Sequence, residues 1–432
     1  MTASGGKPTA LFKIYRGATA VIEPFAWRKV SRKLASFGVP EARQRERLGH
    51  ATQPRPDGKL IWFHAASVGE SLSVLTLITR LGERLSDAQF LITSGTATSA
   101  ELIAKRLPPR TRHQFAPLDS AGPVDRFLSH WQPNAAIFVE SELWPQMLVS
   151  ARNAGAKLVL LNARLSQKSV DGWRKWPGTA HYILDQFDLF VTQNQQTAEN
   201  LRAMGADPER IQPGTNLKAM SAPLPVDEDA LKQIREALGS RPIWIASSTH
   251  DGEEETVLSA HKDLLARHKD LCLLLIPRHP ERGDRVETLV SDAGLSCARR
   301  SRRELPNSKT QVYLADTLGE TGTWYALCPL VFLGGSLKEI GGHNPFEPAQ
   351  CGAAVITGPG YFNFAETFKP LIATGGAIEV TDAPGLAAAV ARWLENADTF
   401  DKARKAAGAC VAAQQSALDG VVETLCTRLD LG

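Results

Sequence analysis

Apolar residues in this chain occur in short runs that alternate with longer stretches in which they recur at helical spacing. In the first half, the short runs are Leu60–His64, Phe90–Thr93, Ala135–Glu140, Lys157–Asn162 and Leu189–Thr192. They are rich in Val, Ile, Leu and Phe without strict alternation, which is typical of strands buried on both faces of a parallel sheet. Helical spacing predicts helices between them, at Leu72–Leu85, Ser99–Leu107, Ser120–Trp131, Trp144–Asn153 and Gln196–Met204.

The second half repeats this plan. Strands are predicted at Ile243–Ala246, Cys272–Ile276, Gln311–Leu314, Leu330–Leu333, Ala354–Thr357 and Ala377–Val380. Helices are predicted at Asp229–Leu238, Glu253–Ala266, Arg282–Ala293, Trp324–Cys328 and Pro384–Glu395, with a closing Ala-rich helix from Thr399 to Leu429. Two arrays of alternating strands and helices predict an α/β protein with two doubly wound, Rossmann-like domains.

The domain boundary is predicted at a proline-containing stretch, Ser221–Glu228. The N-terminal domain is accordingly predicted over residues 36–220, and the C-terminal domain, with the closing helix, over residues 221–432. Residues 1–35 form a separate basic segment with interspersed apolar residues. A length of 432 residues fits two domains of ordinary size.

Positive charge is concentrated at the N-terminus. The whole chain has a net charge of +3, but residues 1–50 hold ten Lys and Arg against three acids. This asymmetry indicates either an anionic surface as a partner or simply a solvated basic face, and the charge pattern leaves both open.

The N-terminal segment lacks the features of a membrane span and of a signal peptide. Lys13, Arg16 and Glu23 interrupt its apolar residues, so no run reaches the roughly 20 apolar residues that a spanning helix needs. A cleavable signal peptide would also need an uninterrupted apolar core. A basic segment with aromatic and aliphatic residues can instead lie in a membrane interface, and we predict peripheral attachment.

Six cysteines are present, and none forms a CxxC pair or a Cys/His cluster with zinc spacing. This usage favours a reducing compartment over a disulfide framework. The spacing thus indicates no zinc site, and we also predict no other metal and no bound cofactor. No nucleic-acid partner and no obligate protein partner is inferred.

Polar residues follow the predicted strands at the edge where parallel sheets bind ligands. Glu70 comes shortly after the first strand, in the first turn of the next helix. It is a candidate general base for an acceptor hydroxyl, although a carboxylate there also complements the helix dipole. The hydroxyl-rich loop Thr93–Ser99 suits phosphate or carboxylate oxygens, with helix capping as an equally good explanation.

Charged residues also follow the next two strands. Glu140 and Glu142 follow the third strand, where burying both as ions would be costly unless they are paired with a basic group or a sugar hydroxyl. Arg164 follows the fourth strand and is a candidate anion ligand. Each residue alone is compatible with an exposed surface, but their recurrence at four strand ends favours a ligand site.

The second half carries cations and glycines at the corresponding places. Arg278 lies between two prolines and can place a two-pronged guanidinium on a phosphate, or form a salt bridge. His250 and His279 are treated as ordinary core or capping histidines. The glycines at 334–335 and 341–342 precede Asn344 and Pro345, a predicted helix start, and Glu347 is placed to accept hydrogen bonds from ribose hydroxyls.

Seven motifs along the chain together resemble those of the Kdo transferases, which move 3-deoxy-manno-octulosonic acid (Kdo). The motifs are HAASVGE, VESELWP, NARLS, PRHPER, DTLGE, FLGGSL and GGHNPFEPA, in family order from about residue 43 to 366. The resemblance implies the GT-B architecture, in which two Rossmann-like domains face each other across a cleft. It implies transfer from CMP-Kdo to a lipid A precursor such as lipid IVA, with inversion and without a metal, at the cytoplasmic face of the inner membrane.

The resemblance also assigns roles to individual residues. Glu70 corresponds to the family's catalytic base, and Glu142 to a second carboxylate that matters for catalysis. The family's CMP contacts fall on Pro277 and Arg278, on Leu318, Gly319 and Glu320, and on Asn344, Pro345, Phe346 and Glu347. Two departures stand out: charges break the N-terminal segment, where many relatives have a continuous apolar anchor, and Phe346 replaces a common Leu.

Two alternative functions remain at this point. One is a UDP-sugar transferase or epimerase of the same architecture, which donor selectivity would distinguish. The other is a non-catalytic protein that binds nucleotide or lipid A, which substitution of Glu70 would distinguish. A nicotinamide dehydrogenase is disfavoured because no GxGxxG follows the first strand.

Overall fold

The computed structural model describes residues 6–214, 217 and 224–431. The chain divides into two compact units, Met1–Met220 with Ser416–Gly432, and Ser221–Gln415. Part of the predicted linker, residues 221–223, and the first five residues of the basic segment lie outside the described residues.

The first unit contains seven strands and nine helices in its described residues before 221. The strands are β1 (Leu60–His64), β2 (Gln89–Ser94), β3 (Thr111–Phe115), β4 (Ala135–Val139), β5 (Lys157–Ala163), β6 (Leu189–Thr192) and β7 (Ile211–Pro213). The helices are α1 (Ala10–Ser36), α2 (Glu41–Gln44), α3 (Val68–Arg84), α4 (Ala97–Lys105), α5 (Ala121–Trp131), α6 (Pro145–Asn153), α7 (Gln167–Arg174), α8 (Pro177–Leu184) and α9 (Gln195–Ala203).

These strands form one parallel sheet in the order β3-β2-β1-β4-β5-β6-β7. Successive side chains of a strand point to opposite faces. Trp62 accordingly packs on one face with Phe127 and Phe138, whereas Ile61 and Phe63 belong to the core on the other face. Burial on both faces explains why the central strands are continuous apolar runs.

The second unit is built in the same way. Its strands are β8 (Ile243–Thr249), β9 (Cys272–Pro277), β10 (Cys297–Arg299), β11 (Val312–Leu314), β12 (Leu330–Leu333), β13 (Ala354–Thr357) and β14 (Ala377–Glu379). The helices from here to the end of the chain are α10 (Glu228–Leu238), α11 (Glu254–Leu265), α12 (Gly283–Asp292), α13 (Thr321–Leu327), α14 (Phe346–Gln350), α15 (Ala365–Ala373), α16 (Ala383–Glu395) and α17 (Ala397–Arg428).

The second sheet is also parallel, with the order β10-β11-β9-β8-β12-β13-β14. Its core includes Trp244, Tyr313, Trp324 and Phe332. Two doubly wound parallel sheets of seven strands are therefore present, which is the predicted fold class.

One part of the predicted domain division is wrong. Residues 416–432 were placed in the C-terminal domain, but they pack with the first unit. Leu418, Val421 and Leu425 lie in the same core cluster as Ile61 and Phe63 of β1. The apolar face of this last stretch covers the first sheet, a tertiary contact that the chain's sequential order does not reveal.

Three strands were not predicted, and all three lie at or next to a sheet edge. β3 is polar in sequence, yet His113 and Gln114 are buried. Hydrogen bonds of their side chains with Ser94 and Trp131 offset the cost of burying these polar groups. β7 and β10 each contain three residues and lack an apolar run. Edge strands of this kind carry little of the apolar signal on which the prediction depends.

The N-terminal basic segment forms most of α1, which is bound to the first unit by side-chain hydrogen bonds. Tyr15 Oη donates to Asp119 Oδ2 at 2.7 Å, and Ser120 Oγ donates to Glu23 Oε2 at 2.6 Å. Phe12 is buried against Tyr182, with ring centroids 5.4 Å apart. Within the described residues, no helix combines the length and the apolar character that crossing a membrane requires.

Candidate functional site

The first unit has a topological switch point between β1 and β4. These two strands pair with each other, and the chain extends the sheet outward from them in opposite directions. Ligands of doubly wound sheets bind at the carboxyl ends of the strands at such a point. The loops that follow β1 and β4 carry Glu70 and Glu142, so the topology brings these two predicted residues to one place.

Glu70 lies in the first turn of α3, and Ser67 is the N-cap of that helix. Its Oε1 accepts a hydrogen bond from Ser67 Oγ at 2.8 Å, and its Oε2 accepts one from the Ala66 amide at 2.9 Å. Burial raises the pKa of Glu70, and the charges of Glu142 and Glu140 raise it further against the lowering effect of these hydrogen bonds. A raised pKa makes this carboxylate a better proton acceptor near neutral pH.

Glu142 is oriented by a chain of buried side chains. Trp62 Nε1 donates to Thr93 Oγ1 at 2.8 Å, and Thr93 Oγ1 lies 3.0 Å from His64 Nδ1. His64 Nε2 lies 3.2 Å from Glu142 Oε2. Because an ionised carboxylate only accepts hydrogen bonds, His64 Nε2 is the donor side of this contact. The Thr93 hydroxyl lies within hydrogen-bond distance of both His64 Nδ1 and the Phe63 carbonyl oxygen, at 3.0 and 3.3 Å.

The environment of Glu142 favours its ionised form. Burial raises its pKa, but the contacts with His64 and a hydrogen bond from Trp144 Nε1 outweigh burial and hold the pKa of Glu142 below its usual range. The site therefore contains two carboxylates with opposite pKa shifts. Such a pair is typical of sites where one group exchanges a proton and the other stays charged.

The other polar residues of this sheet edge lie beside the two carboxylates. Glu140 is buried at the end of β4 with φ +60°, a left-handed conformation that costs free energy in a residue other than glycine. Its carbonyl accepts a 3.4 Å hydrogen bond from the Arg164 amide. The Arg164 side chain is exposed, and no residue in the described part of the chain pairs with it.

The hydroxyl-rich loop at 93–99 has a structural explanation. Thr96 Oγ1 accepts from the Ser99 amide at 3.2 Å and so caps α4. Ser94 Oγ is bonded to His113, and Thr93 belongs to the chain that orients Glu142. These contacts favour the capping explanation over an anion site.

Sequence analysis missed His64 and Asp119 as members of this site. Asp119 accepts from Tyr15 on α1 and from the amides of Gln146 and Met147 at the start of α6. It therefore connects α1 to the helix that follows Glu142 and Trp144. Nothing in the sequence signals this link, because its partners are up to 104 residues apart.

In the second unit, the corresponding switch point lies between β8 and β12. Pro277 ends the neighbouring strand β9 and is buried, and Arg278 follows it with an exposed side chain. Across the described ranges, no residue forms a hydrogen bond or ion pair with the Arg278 guanidinium. The alternative prediction, a salt bridge formed by Arg278, is thus not seen in the described residues, and the guanidinium charge is available to bind an anion.

The predicted residues after β11 are Leu318, Gly319 and Glu320, and of these only Glu320 has a side chain that forms hydrogen bonds within the described residues. Leu318 is 79% exposed, and Gly319 has φ +85°. The Glu320 carboxylate is held by Arg300, with Nη2–Oε1 at 2.6 Å, and by the Thr317 hydroxyl. Burial raises the pKa of Glu320, but Arg300 and Thr317 outweigh it and lower the pKa. Among the described residues, the Glu320 carboxylate contacts Arg300 and Thr317 and not Arg278.

The predicted residues 344–347 surround the start of α14. Asn344 Oδ1 accepts from the Phe346 amide at 3.1 Å, as a capping side chain does. The helix begins one residue later than predicted, because Pro345 is the N-cap residue and Phe346 the first helical residue. The side chains of Pro345 and Phe346 are buried, Phe346 at 3% exposure, so any ligand contact there would come from backbone atoms. Glu347 is half-buried, and its charge adds to burial in raising the pKa of Tyr325.

His250 and His343 were not predicted as site residues, yet they meet at this switch point with Nε2 atoms 2.9 Å apart. The pairing signal was absent because 93 residues separate them. In the described part of the chain, no cluster of three or more His, Cys, Asp or Glu is arranged to hold a metal ion. The expectation that no metal takes part stays a prediction.

Comparison with known proteins places the chain in a family. A sequence model described as "3-Deoxy-D-manno-octulosonic-acid transferase (kdotransferase)" matches residues 42–221. The 3-deoxy-D-manno-octulosonic acid transferase of Haemophilus influenzae is 34% identical, over 91% of this chain and 93% of the relative. The chain belongs to the 3-deoxy-D-manno-octulosonic acid transferase family. The Kdo transferase of Rickettsia felis is 36% identical over 76% of this chain and 70% of the relative.

Members of the Kdo transferase family are glycosyltransferases, so the chain is an enzyme of that class. A glycosyltransferase structure from Rickettsia africae matches with a TM-score of 0.57 at 12% identity, covering 87% of this chain and 99% of that chain. At this identity the likeness shows the fold alone, which is the GT-B type with two Rossmann-like units.

Proposed function

We propose that this Kdo transferase moves Kdo from CMP-Kdo to a lipid A precursor such as lipid IVA, with inversion at the anomeric carbon. The observation that carries the proposal is the pair Glu70 and Glu142 at the first switch point, with opposite pKa shifts, in a chain of the Kdo transferase family. The motif resemblance supports CMP-Kdo as donor. The lipid acceptor rests on that resemblance.

Glu70 is the proposed general base. Its half-buried carboxylate retains lone pairs beyond the two hydrogen bonds it accepts, and its raised pKa suits removal of the acceptor hydroxyl's proton. As the acceptor oxygen attacks the anomeric carbon of Kdo, the bond from that carbon to the phosphate oxygen breaks. The bonding electrons leave with CMP, and the acceptor's proton passes to Glu70.

Glu142 is proposed to act through its fixed negative charge. The contact with His64 keeps it ionised and oriented, and its charge helps to raise the pKa of Glu70. A carboxylate beside a reacting sugar also stabilises positive charge that develops at the anomeric carbon, as in other glycosyl transfers.

Arg278 is proposed to hold the phosphate of the donor. Its guanidinium lacks an acidic partner in the described residues and can form two parallel hydrogen bonds to phosphate oxygens. The phosphate gains negative charge as it leaves, so this interaction is strongest when the bond to Kdo has broken. A group that binds the leaving phosphate in this way lowers the barrier to transfer.

We further propose peripheral attachment of α1 to the cytoplasmic face of the inner membrane. Its exposed apolar residues include Ile14, Val21, Ile22 and Phe25, and Phe25 is 74% exposed. Six exposed Lys and Arg lie on the same helix, against one acid. Apolar side chains can enter the headgroup boundary while the cations bind anionic lipids.

The membrane proposal is tested by flotation with vesicles that contain anionic lipid. Phe25→Ser is expected to weaken binding about tenfold, because a single aromatic side chain contributes on the order of 1.5 kcal/mol when buried. Thr19→Ser on the same helix serves as the matched control. Unchanged binding of the Phe25 variant would remove α1 as the attachment element.

The activity is tested by incubating the full chain with CMP-Kdo and a tetraacyl disaccharide lipid A precursor, with product analysis by mass spectrometry. The proposal expects mass increments of Kdo, and their number counts the residues transferred. UDP-N-acetylglucosamine as donor is expected to give no product. Transfer or epimerisation of the UDP-sugar, or binding without transfer, would replace the proposal by one of the alternatives.

A further inference from the structure

Two histidines from distant parts of the second unit meet at its topological switch point. His250 follows β8, and His343 precedes α14. Their Nε2 atoms are 2.9 Å apart, and the rings are nearly parallel, at 8°. The sheet brings β8 and β12 together at this point, where doubly wound sheets bind their ligands.

The pairing fixes the protons of both rings. A hydrogen bond between two Nε2 atoms requires one to carry a proton and the other a lone pair. The neutral pair therefore has one protonated Nδ1 and one bare Nδ1. Among the residues the structure describes, neither Nδ1 forms a hydrogen bond, so the pair has one donor and one basic nitrogen left for a ligand.

A buried carboxylate holds the surrounding backbone in place. Glu253 is fully buried and accepts hydrogen bonds from four amides, those of His250, Gly335, Ser336 and Leu337, at 2.7–3.0 Å. The loops after β8 and β12 are thereby tied to one anchor. This built arrangement distinguishes the pair from a chance contact between surface histidines.

Gly335 allows the rings to lie against the loop. It has φ +67°, and a Cβ atom there would lie 3.0 Å from Cδ2 and Nε2 of His343 and 3.5 Å from Cδ2 of His250. A side chain at this position would displace the pair. Glycine is thus required here both by the backbone conformation and by the rings.

Charged groups around the pair are mostly cationic. Burial lowers the pKa of His250; Glu253 raises it, and His279, Arg278 and Arg282 lower it. Burial likewise lowers the pKa of His343 to about 4, with His250, Arg278 and His279 acting in the same direction. Arg282 is itself paired with Asp251 and Glu254, so Arg278 is the cation beside the pair that has no acidic partner in the described residues. The empty pair is therefore neutral near pH 7 and lies next to a cation that can bind an anion.

We propose that His250 and His343 form a proton-accepting site for the phosphate of the nucleoside monophosphate that leaves the donor, a role that rests on the proposed function. Before transfer, the donor's phosphate is a diester with one negative charge. When its bond to the sugar carbon breaks, the electron pair stays on the phosphate, which becomes a dianion. The pair then takes one proton from solvent, so that both Nδ1 atoms donate to phosphate oxygens.

The test is calorimetric titration of the full chain with CMP at about pH 7.5, where a phosphate monoester with a second pKa of about 6 is already a dianion. Repeating the titration in buffers of different ionisation enthalpy gives the number of protons taken up. The wild-type chain is expected to take up about one proton per CMP, and cytidine without phosphate should cause none.

Variants separate this site from the rest of the fold. His343→Gln and His250→Gln are each expected to abolish proton uptake, whereas His268→Gln, which removes a histidine paired with Glu395, should behave as wild type. Thermal unfolding identifies a variant that does not fold, and the second pair variant then decides the result.

The outcomes distinguish failure of the role proposed for the histidines from failure of the proposed function. Binding of CMP to the wild-type chain without proton uptake, or uptake that persists in a folded pair variant, would overturn the role of the histidines alone. Failure of the wild-type chain to bind CMP would overturn the donor assignment and this inference with it.

Discussion

The two switch points have the same topology and opposite chemistry. The first presents Glu70, Glu140 and Glu142, and its cation Arg164 is exposed. The second presents Arg278 beside the pair His250–His343. A doubly wound sheet determines where a ligand binds, whereas the side chains after its strands decide what can bind. An acidic site suits removal of a proton from a hydroxyl, and a basic site suits a phosphate.

The largest loss of activity is expected when the acidic site of the first unit loses its general base. Glu70→Gln keeps the size and loses the base, so the transfer rate is expected to fall about 10³-fold, within the range for general bases. Quenched-flow or mass-spectrometric rates measure the loss. Glu101→Gln, which changes an exposed glutamate on α4, is the matched control and should change the rate little.

Neutralising the basic side should have the next largest effect. Arg278→Gln is expected to lower kcat/KM for the donor about 10²-fold, the magnitude found when one group that stabilises an anionic transition state is removed. Arg278 has no acidic partner in the described residues, so the Tm of the Arg278→Gln variant should hardly differ from that of the wild-type chain. Arg285→Gln, nearby and exposed, is the control, and an equal loss there would argue against a specific phosphate contact.

A smaller effect, on the pH–rate profile, is expected when Glu142 in the acidic site loses its charge. The charge of Glu142 helps to raise the pKa of Glu70, so Glu142→Gln should lower that pKa. The base then stays ionised at lower pH, and the acidic limb of the pH–rate profile should move down by about half a unit to one unit. A shift of the limb to higher pH, or no shift, would contradict the coupling.

The smallest effect is expected at Glu320. Its carboxylate is occupied by Arg300, so Glu320→Gln should raise the donor KM only about threefold, through a single weakened polar contact. The pKa of Glu320 is lowered, so its contribution to stability is present above the pKa of an unfolded glutamate and is lost as pH falls through the lower folded value. The Tm difference between wild type and variant should therefore shrink on acidification, and a donor KM raised more than tenfold would indicate direct nucleotide contact.

The central strands were predictable because burial on both faces makes them continuous apolar runs. Ten of the eleven predicted strands, including Leu60–His64 and Leu330–Leu333, have the predicted bounds or differ by one residue at either end. The edge strand Thr111–Phe115 was missed because its buried residues are polar and are satisfied by partners elsewhere in the chain. The packing of residues 416–432 on the first sheet was missed for a related reason, since it is a contact between distant segments.

The residues of the candidate site also form two groups, those that the sequence predicts and those that only the fold reveals. Glu70, Glu142 and Arg278 could be proposed because they follow strands directly and lie in motifs. His64, Asp119 and the pair His250–His343 could not, since each acquires its role from a partner that only the fold brings close. Local position in sequence predicts which side chains reach a strand end, but not which distant groups orient them.

The division between the switch points is tested most directly by the affinity for CMP of two variants, Glu70→Gln and Arg278→Gln, measured by calorimetry against the wild-type chain. Glu70→Gln should bind CMP with unchanged affinity, and Arg278→Gln should bind it at least about tenfold more weakly, as loss of a charge-assisted pair implies. Loss of CMP affinity in the Glu70 variant with retention in the Arg278 variant would contradict the assignment of proton transfer to the first unit and phosphate binding to the second.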